Sequence, residues 1–386
     1  MHNIKLANDT VDKKDIKKLI SWLKQGKNIT MGEQTERFER IFSEFMGVNH
    51  SVYVNSGSSA NLLAVYSMML SNSDNRKDVI VPAVSWVTTV SPVIQLGLNP
   101  ILCDCSMDNL GIDTDMLEML CEKHRPLALI LVHVLGLPCD MERILEICNK
   151  YNVFLIEDTC EAMGSEVKGK KLGSFGNIST FSMYYAHTIS SGEGGIVSTN
   201  SDELCRLLKM TRSHGWDRNL SIEDKEKIRK DNSVDNFHAS FTFFVPGFNV
   251  RPTDIQATIA ISQMEKINKM VDVRNFNYLL YDSLIKNSFW KPSLHTNATI
   301  SNHAYPVITP KLDELVCELE KNGIETRPLV CGSMEKQVFW KKLYGDKITC
   351  PNASIVHDFG CYLPNNHEIS KKDIQKICKI VNKVTK

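Results

Sequence analysis

The sequence lacks the features that mark several specialised classes of protein. It has no charge excess, because 45 Lys and Arg residues balance 45 Asp and Glu residues for a net charge of +0. A dedicated nucleic-acid or membrane-surface protein carries a basic excess or stripe. No apolar run approaches the about 20 residues that a membrane-spanning helix needs. We therefore expect neither a nucleic-acid partner nor a membrane partner.

The sequence also lacks the marks of a secreted or metal-bearing protein. Its first residues, MHNIKLANDTVDKKD, turn polar at once, unlike a signal peptide. The 12 cysteines are scattered without framework spacing, which predicts reduced thiols in a cytoplasmic protein. Cys103 and Cys105 form the one close pair, whereas an iron–sulfur cluster needs several grouped cysteines. The prediction is therefore a cytoplasmic protein with no metal site and no iron–sulfur cluster.

What remains is an ordinary globular composition in a chain of 386 residues, long enough for about two domains. Short apolar runs alternate with amphipathic helical patterns, which predicts a parallel sheet covered on both faces. The first helix is predicted at residues 12–23, where Ile16, Ile20 and Leu23 follow helical spacing. The predicted strands are residues 52–54, 79–81, 127–134 and 153–156.

The C-terminal part of the sequence predicts a smaller α/β domain. A long helix at 253–284 precedes strands at 304–308 and 325–330 and a helix at 311–321. Ser370 and Asp373 form a capping-box pattern that opens a final helix. We expect a large domain at residues 1–260 and a small domain at 261–386. The charged residues 221–236 are expected to form a surface loop or insertion.

One segment predicts a phosphate site. The strand at 52–54 ends in Asn-Ser-Gly-Ser-Ser, and a helical pattern follows. Free amides at a helix N-terminus, with the small side chains of Gly57, Ser58 and Ser59, suit an anion. The alternative is an ordinary helix N-cap formed by Ser58 or Ser59.

Three other residues lie just past predicted strands, where open parallel sheets bind their ligands. Asp158 could keep a heterocyclic nitrogen protonated, and Trp86 could stack on a flat ring. Glu161 lies close to Asp158 in the sequence. The alternatives are a helix cap for Asp158, a first-turn acid for Glu161 and core packing for Trp86.

The segment from Thr180 to Gly195 joins a strand, two tyrosines, a histidine and a glycine-rich turn. Ser182 ends the strand. His187 is the side chain best suited to move protons near neutral pH, although a lone histidine is more often structural.

Two further segments, RSHGWDR at 212–218 and PGFNVRP at 246–252, place arginines among rigid or aromatic neighbours. A planar guanidinium matches phosphate or carboxylate oxygens, and two such segments favour a diphosphate or carboxylate ligand over solvated turns. The candidate substrate-binding residues are His214, Arg218, Arg251 and, more weakly, Arg327.

Taken in order, these segments resemble the DegT family of nucleotide-sugar aminotransferases and dehydratases, from Thr30 to Pro364. This family belongs to fold type I of the pyridoxal phosphate enzymes. The resemblance implies a large parallel-sheet domain, a small C-terminal α/β domain and a homodimer with shared active sites.

The resemblance also implies which residues contact the cofactor. Trp86 would cover the ring, Asp158 would pair with the ring nitrogen, and Glu161 would lie near the ring. The phosphate would be held by Gly57, Ser58, Ser59, Ser182 and, from a second subunit, Asn249.

The sequence departs from the family's aminotransferases at one informative position. There a lysine binds the cofactor covalently, whereas here His187 stands in its place. With a histidine at this position, the chain resembles one branch of the family. The enzymes of that branch are 3-dehydratases that act on nucleotide-linked 4-keto-6-deoxyhexoses in 3,6-dideoxysugar biosynthesis for surface polysaccharide. The resemblance implies pyridoxal and pyridoxamine phosphate held noncovalently, His187 as base, and glutamate as amine donor.

Two alternatives stay open at this point. The chain could be a 4-aminotransferase whose lysine has been replaced, or a catalytically silent sensor that keeps the cofactor fold. The nucleotide is not fixed by the sequence, although GDP is favoured.

Overall fold

A computed structural model describes residues 3–294, 297–345 and 349–386. The helices are α1 (Lys13–Leu23), α2 (Glu33–Met46), α3 (Gly57–Ser71), α4 (Val87–Gln95), α5 (Thr114–His124), α6 (Met141–Tyr151), α7 (Asp202–Thr211), α8 (Ile222–Asp231), α9 (Asn236–Ala239), α10 (Asp254–Met264), α11 (Ile267–Leu284), α12 (Leu312–Lys321), α13 (Val338–Tyr344), α14 (Pro351–Phe359) and α15 (Lys371–Val384). The strands are β1 (His50–Val54), β2 (Asp78–Pro82), β3 (Asn99–Cys103), β4 (Ala128–Val132), β5 (Phe154–Asp158), β6 (Glu166–Val167), β7 (Lys170–Lys171), β8 (Ile178–Ser182), β9 (Gly195–Thr199), β10 (Ala298–Thr299), β11 (Ala304–Ile308), β12 (Arg327–Pro328) and β13 (Gly360–Pro364).

The large sheet has seven strands in the order β1-β9-β8-β5-β4-β2-β3. Neighbours pair in parallel from β8 to β3, and β9 runs antiparallel to both β8 and β1. Helices cover both faces, so central strands such as β4 are buried at every position. The predicted parallel sheet is therefore confirmed, with one reversed strand.

The sheet places the carboxyl ends of β5 and β8 beside the N-terminus of α3, which packs against both strands. In open α/β sheets this edge is where ligands bind. The three-stranded sheet β11-β13-β12, which is antiparallel throughout, lies on the other side of that edge. Ile4, near the N-terminus, pairs with Ile324 next to this smaller sheet.

The small sheet and its helices follow the sequence pattern closely. Strand β11 spans the predicted residues 304–308. Ser370 caps α15, and the reciprocal bond from the Asp373 side chain completes the predicted capping box. A separate ladder, β10-β6-β7, joins a hairpin of the large domain to the segment before β11.

Several predicted boundaries are wrong. Residues 221–236 lie on the surface as expected, but they contain helix α8, none of whose residues is buried. The helix predicted at 253–284 is two helices, α10 and α11. The strand predicted at 325–330 pairs only at Arg327 and Pro328. The domain boundary at residue 260 falls inside α10 and stays a prediction.

All 12 cysteines lie in the described part of the chain, most of them buried, and all are free thiols. Within residues 3–294, 297–345 and 349–386, no helix has the length and apolarity to cross a membrane. In the same residues, no cluster of three or more His, Cys, Asp or Glu side chains could hold a metal ion. The predicted absence of an iron–sulfur cluster stays a prediction.

Candidate active site

A cleft of about 340 Å³ lies between the large sheet and the small sheet. It opens where β5 and β8 end and where α3 begins. Both sheets contribute to its wall, since Arg327 and Tyr362 belong to β12 and β13. The predicted site residues that line it are Gly57, Ser58, Trp86, Asp158, Glu161, Ser182, His187 and Arg327.

The N-terminus of α3 forms a cradle in this cleft. The N-cap is Ser56, whose hydroxyl accepts the amide of Ser59 at 3.1 Å, so the alternative of Ser58 or Ser59 as cap is wrong. Ser56 also donates to the Ser59 hydroxyl at 3.0 Å. A Cβ at Gly57 would meet Cβ of Ser182 at 2.7 Å, so only glycine lets α3 approach β8 this closely. The first turn of α3 therefore lies beside Ser182, and free amides at a helix N-terminus suit an anion.

Asp158 ends β5 and is 5% exposed. Its Oδ2 accepts Nδ2 of Asn61 and Oγ1 of Thr89, each at 2.8 Å, and its Oδ1 accepts the Cys160 amide at 3.2 Å. Turns rather than a helix follow the strand at residues 159–165, so the helix-cap alternative for Asp158 is wrong. The carboxylate is fixed by donors and faces the cleft.

Glu161 and Trp86 flank Asp158. The Glu161 carboxylate accepts the Leu135 amide at 2.7 Å, and burial, helped by the charge of Asp158, raises the pKa of Glu161 to about 7. Because turns surround Glu161, its alternative as a first-turn helix acid is also wrong. Trp86 is 55% exposed, which contradicts the core-packing alternative. Its indole is free to cover a flat ligand.

His187 lies in the loop that joins β8 to β9. Its Nδ1 is 3.4 Å from the Ser182 carbonyl oxygen, and its own carbonyl accepts Nη2 of Arg274 at 3.0 Å. Burial, followed by the positive charge of Arg274, lowers the pKa of His187 to about 4. The imidazole is therefore neutral at pH 7 and can accept a proton.

Among the described residues that line the cleft, none is a lysine. The lysines nearest to His187 in the sequence lie elsewhere. Lys171 pairs with Glu166 at 3.1 Å, and Lys209 borders a separate groove beside α2 and α7.

Sequence reasoning missed a second histidine in the cleft, His303. The centroids of the His303 and His187 rings are 5.7 Å apart, and Nδ1 of His303 is buried with no hydrogen-bond partner among the described residues. Burial lowers the pKa of His303 well below its ordinary value. No motif surrounds this histidine, because the pairing of β11 with β13 brings it to the cleft.

Ser59 lies in the first turn of α3 but is not among the described residues that line the cleft. The other predicted residues assemble around Trp216 instead of this chain's cleft. The guanidinium of Arg218 lies 3.8 Å from the centre of the Trp216 ring, and that of Arg251 lies 5.9 Å from it. The His214 ring packs edge-on at 5.0 Å, and Asn249 accepts Nε of Arg251 at 3.1 Å. We call these five residues the Trp216 cluster.

The cleft fits pyridoxal phosphate. The cradle at Gly57 would take a phosphate, the buried carboxylate of Asp158 suits a ring nitrogen, and the exposed indole of Trp86 suits a ring face.

The chain matches a known protein family. The model of the DegT/DnrJ/EryC1/StrS aminotransferase family matches residues 10–382. The chain belongs to this family.

A curated relative and two solved structures resemble the chain over nearly its full length. It is 34% identical to a GDP-4-keto-6-deoxy-D-mannose 3-dehydratase of Yersinia pseudotuberculosis, covering 99% of each chain. A crystal structure of a histidine-to-asparagine mutant of GDP-4-keto-6-deoxymannose-3-dehydratase with bound GDP-perosamine superposes with a TM-score of 0.90, at 31% identity over 98% of this chain and 100% of that one. A structure of such a dehydratase with a trapped PLP-glutamate geminal diamine gives a TM-score of 0.89, at 32% identity and the same coverage. The predicted family and fold are confirmed.

Proposed function

We propose that the chain is a 3-dehydratase of a nucleotide-linked 4-keto-6-deoxyhexose that uses pyridoxal and pyridoxamine phosphate. The observation that carries this proposal is the imidazole of His187 in a cleft whose described lining contains no lysine. Imidazole cannot form a Schiff base with pyridoxal, so the cofactor is held without a covalent bond. A transaminating relative of this family would keep its lysine.

The chain's own residues would hold the cofactor at four points. The first-turn amides of α3 and the hydroxyl of Ser182 would bind the phosphate, and Gly57 lets these two elements approach closely. Asp158 would keep the ring nitrogen protonated, Trp86 would cover one ring face, and Glu161 would lie near the ring substituents. When bound, the cofactor supplies an amino group for the sugar ketone and a ring that accepts electrons.

His187 moves the protons. At neutral pH it is uncharged and can remove the proton from the C4′ carbon of the cofactor. In its protonated form it can donate to the C3 hydroxyl of the sugar, which leaves as water. The products are a 3,6-dideoxy-4-ketosugar and ammonia. Glutamate, which is oxidised to 2-oxoglutarate, would return the amino group and the two electrons for the next turnover.

The Trp216 cluster serves the cleft of a second subunit in this proposal. Its arginines and Asn249 do not line their own chain's cleft, although the family resemblance assigns Asn249 to cofactor phosphate binding across a dimer. Arg218 and Arg251 offer two guanidinium groups, which suits the diphosphate of a nucleotide sugar. His214 lies against the same indole. The assembly we propose is therefore a homodimer with shared active sites.

The relatives favour GDP as the nucleotide and glutamate as the amine donor. The curated relative is named for a GDP-linked hexose, and the solved relatives hold GDP-perosamine in one case and a PLP-glutamate adduct in another. These names agree with the prediction that His187 stands where the family's aminotransferases have a lysine.

The test is ammonia release from the purified protein with pyridoxamine phosphate, glutamate and the GDP-, CDP- or dTDP-linked 4-keto-6-deoxyhexose. We expect continuous release with the GDP sugar, and release limited to one equivalent of cofactor when glutamate is left out. An aminosugar product would favour the aminotransferase alternative. No product with any sugar would favour the silent sensor.

A further inference from the structure

A buried cation lies behind the cleft. Arg274, on α11, is 2% exposed, and it forms no ion pair with any carboxylate in the described parts of the chain. Burial lowers the pKa of Arg274 to about 10, so the guanidinium remains charged at neutral pH. A buried charge without a counter-ion is costly, and its presence calls for an explanation.

The guanidinium is held by three backbone carbonyls. Nη1 donates to the carbonyls of Asn302 and Asn365, and Nη2 donates to that of His187, each at 3.0 Å. Asn302 precedes β11 and Asn365 follows β13, whereas His187 belongs to the loop after β8. One planar fork therefore fixes the His187 backbone against one end of the small sheet, where β11 begins and β13 ends.

Carbonyl oxygens solvate the guanidinium but do not neutralise it. Its positive charge therefore acts on the imidazoles around it, and it contributes to the lowered pKa of His187, of His303 and of His367. The other charged and titratable groups that surround His187 or line its cleft are Asp158, Cys160, Glu161, Tyr184, Glu193, Arg327 and Tyr362. Asp158 opposes the effect of Arg274 on His187.

We propose that Arg274 is a positioning residue for the dehydration. Its fork fixes the backbone of His187, and its unpaired charge adds to burial in disfavouring the protonated imidazole. This inference rests on the proposed role of His187 as base. A purely structural clamp would fix the loop equally well, but the imidazole would then titrate in the same way with or without the charge.

Two substitutions test the three hydrogen bonds of the Arg274 guanidinium separately from its positive charge. Arg274→Lys keeps a positive charge but cannot reach three carbonyls with a planar fork. Arg274→Gln keeps amide donors and loses the charge. A matched control is Tyr281→Phe, which removes a buried bond of 2.8 Å from the same helix to the Pro364 carbonyl and changes no charge.

The experiment is an NMR titration of histidine-labelled protein without cofactor or substrate. The His187 signal is assigned as the one that His187→Asn removes. We expect the pKa of His187 to lie near 4 in the wild type, in Arg274→Lys and in the Tyr281→Phe control. Arg274→Gln should raise it by about one pH unit, a tenfold change in proton affinity. An unchanged pKa in folded Arg274→Gln would overturn the proposal.

Arg274→Lys provides the second test, and it decides the question if Arg274→Gln does not fold. Misplacing the imidazole should lower kcat for ammonia release by about tenfold or more, while the affinity for pyridoxamine phosphate and KM stay near wild type. Wild-type kcat in this variant would overturn the positioning role. If the wild type itself releases no ammonia, the proposed function fails, and the titration still tests Arg274.

Discussion

Replacing Asp158 by asparagine keeps the shape of the side chain and removes its charge. The site is built around the carboxylate, since Asn61 and Thr89 both donate to its Oδ2 at 2.8 Å. The side-chain amide of Asn61 cannot flip without losing a hydrogen bond, because its oxygen accepts the Thr180 hydroxyl at 2.5 Å. An amide at position 158 offers one acceptor in place of two, and it cannot hold a ring nitrogen protonated.

The expected effect is large on turnover and small on folding. Asp158→Asn would remove the charged hydrogen bond to the ring nitrogen, and a hydrogen bond to a charged group contributes about 1.5–3 kcal/mol. We expect Asp158→Asn to lower ammonia release by at least about 100-fold, or about 2.7 kcal/mol of barrier. Thr89→Val is the control, because it keeps the carboxylate and removes a donor that supports it before and during the reaction alike, so ammonia release should fall by less than about tenfold.

The assay is the initial rate of ammonia release at saturating sugar and cofactor, with binding of pyridoxamine phosphate followed by its absorbance. If Asp158→Asn turns over within about tenfold of the wild type, or about 1.4 kcal/mol, the reasoning is refuted. Asp158 would then be a structural residue of the turn after β5.

Three further predictions test the cradle, the absence of a covalent bond and the titration of Glu161. Gly57→Ala should weaken the binding of pyridoxamine phosphate at least tenfold, because its Cβ would meet Ser182; unchanged affinity would contradict the cradle. Borohydride treatment of pyridoxal-loaded protein should leave no phosphopyridoxyl-lysine, and finding one in the cleft by mass spectrometry would contradict noncovalent binding. The pKa of Glu161 is raised from 4.5 to about 7, so the folded protein keeps a proton that the unfolded chain loses, and stability falls as pH rises between these values. Glu161→Gln should therefore raise Tm more at pH 8 than at pH 5, and an equal change at both values would contradict the assignment.

Local patterns in the sequence predicted the elements whose determinants are local. Strand β11 and the capping box at Ser370 needed only a short apolar run and a pair of side chains three residues apart. The break between α10 and α11 could not be predicted in this way. It coincides with Glu265 and Lys266, whose partners lie on and just before α1, about 250 residues away in sequence.

The candidate site likewise combines residues that local sequence patterns predict with residues that only distant contacts bring to the cleft. Trp86, Asp158 and His187 follow strand ends, and the topology of a parallel sheet gathers such residues at one edge. His303 reaches the cleft through the pairing of two distant strands, and Arg274 acts from a helix behind it. Neither stands in a motif. Four members of the Trp216 cluster were predicted as binding residues, and the family resemblance assigned only Asn249 among them to the cleft of a second subunit. Helix α8 was missed because its exposed residues have no apolar periodicity.

The central claim is that His187 moves the protons in a cleft without a cofactor-binding lysine. The most direct measurement is the rate of ammonia release by His187→Asn, with the affinity for pyridoxamine phosphate measured on the same sample. A positioned acid–base group contributes about 10²–10⁴-fold, so we expect a loss of at least about 100-fold with cofactor binding retained. Ammonia release near the wild-type rate from the same 4-ketosugar would contradict the account.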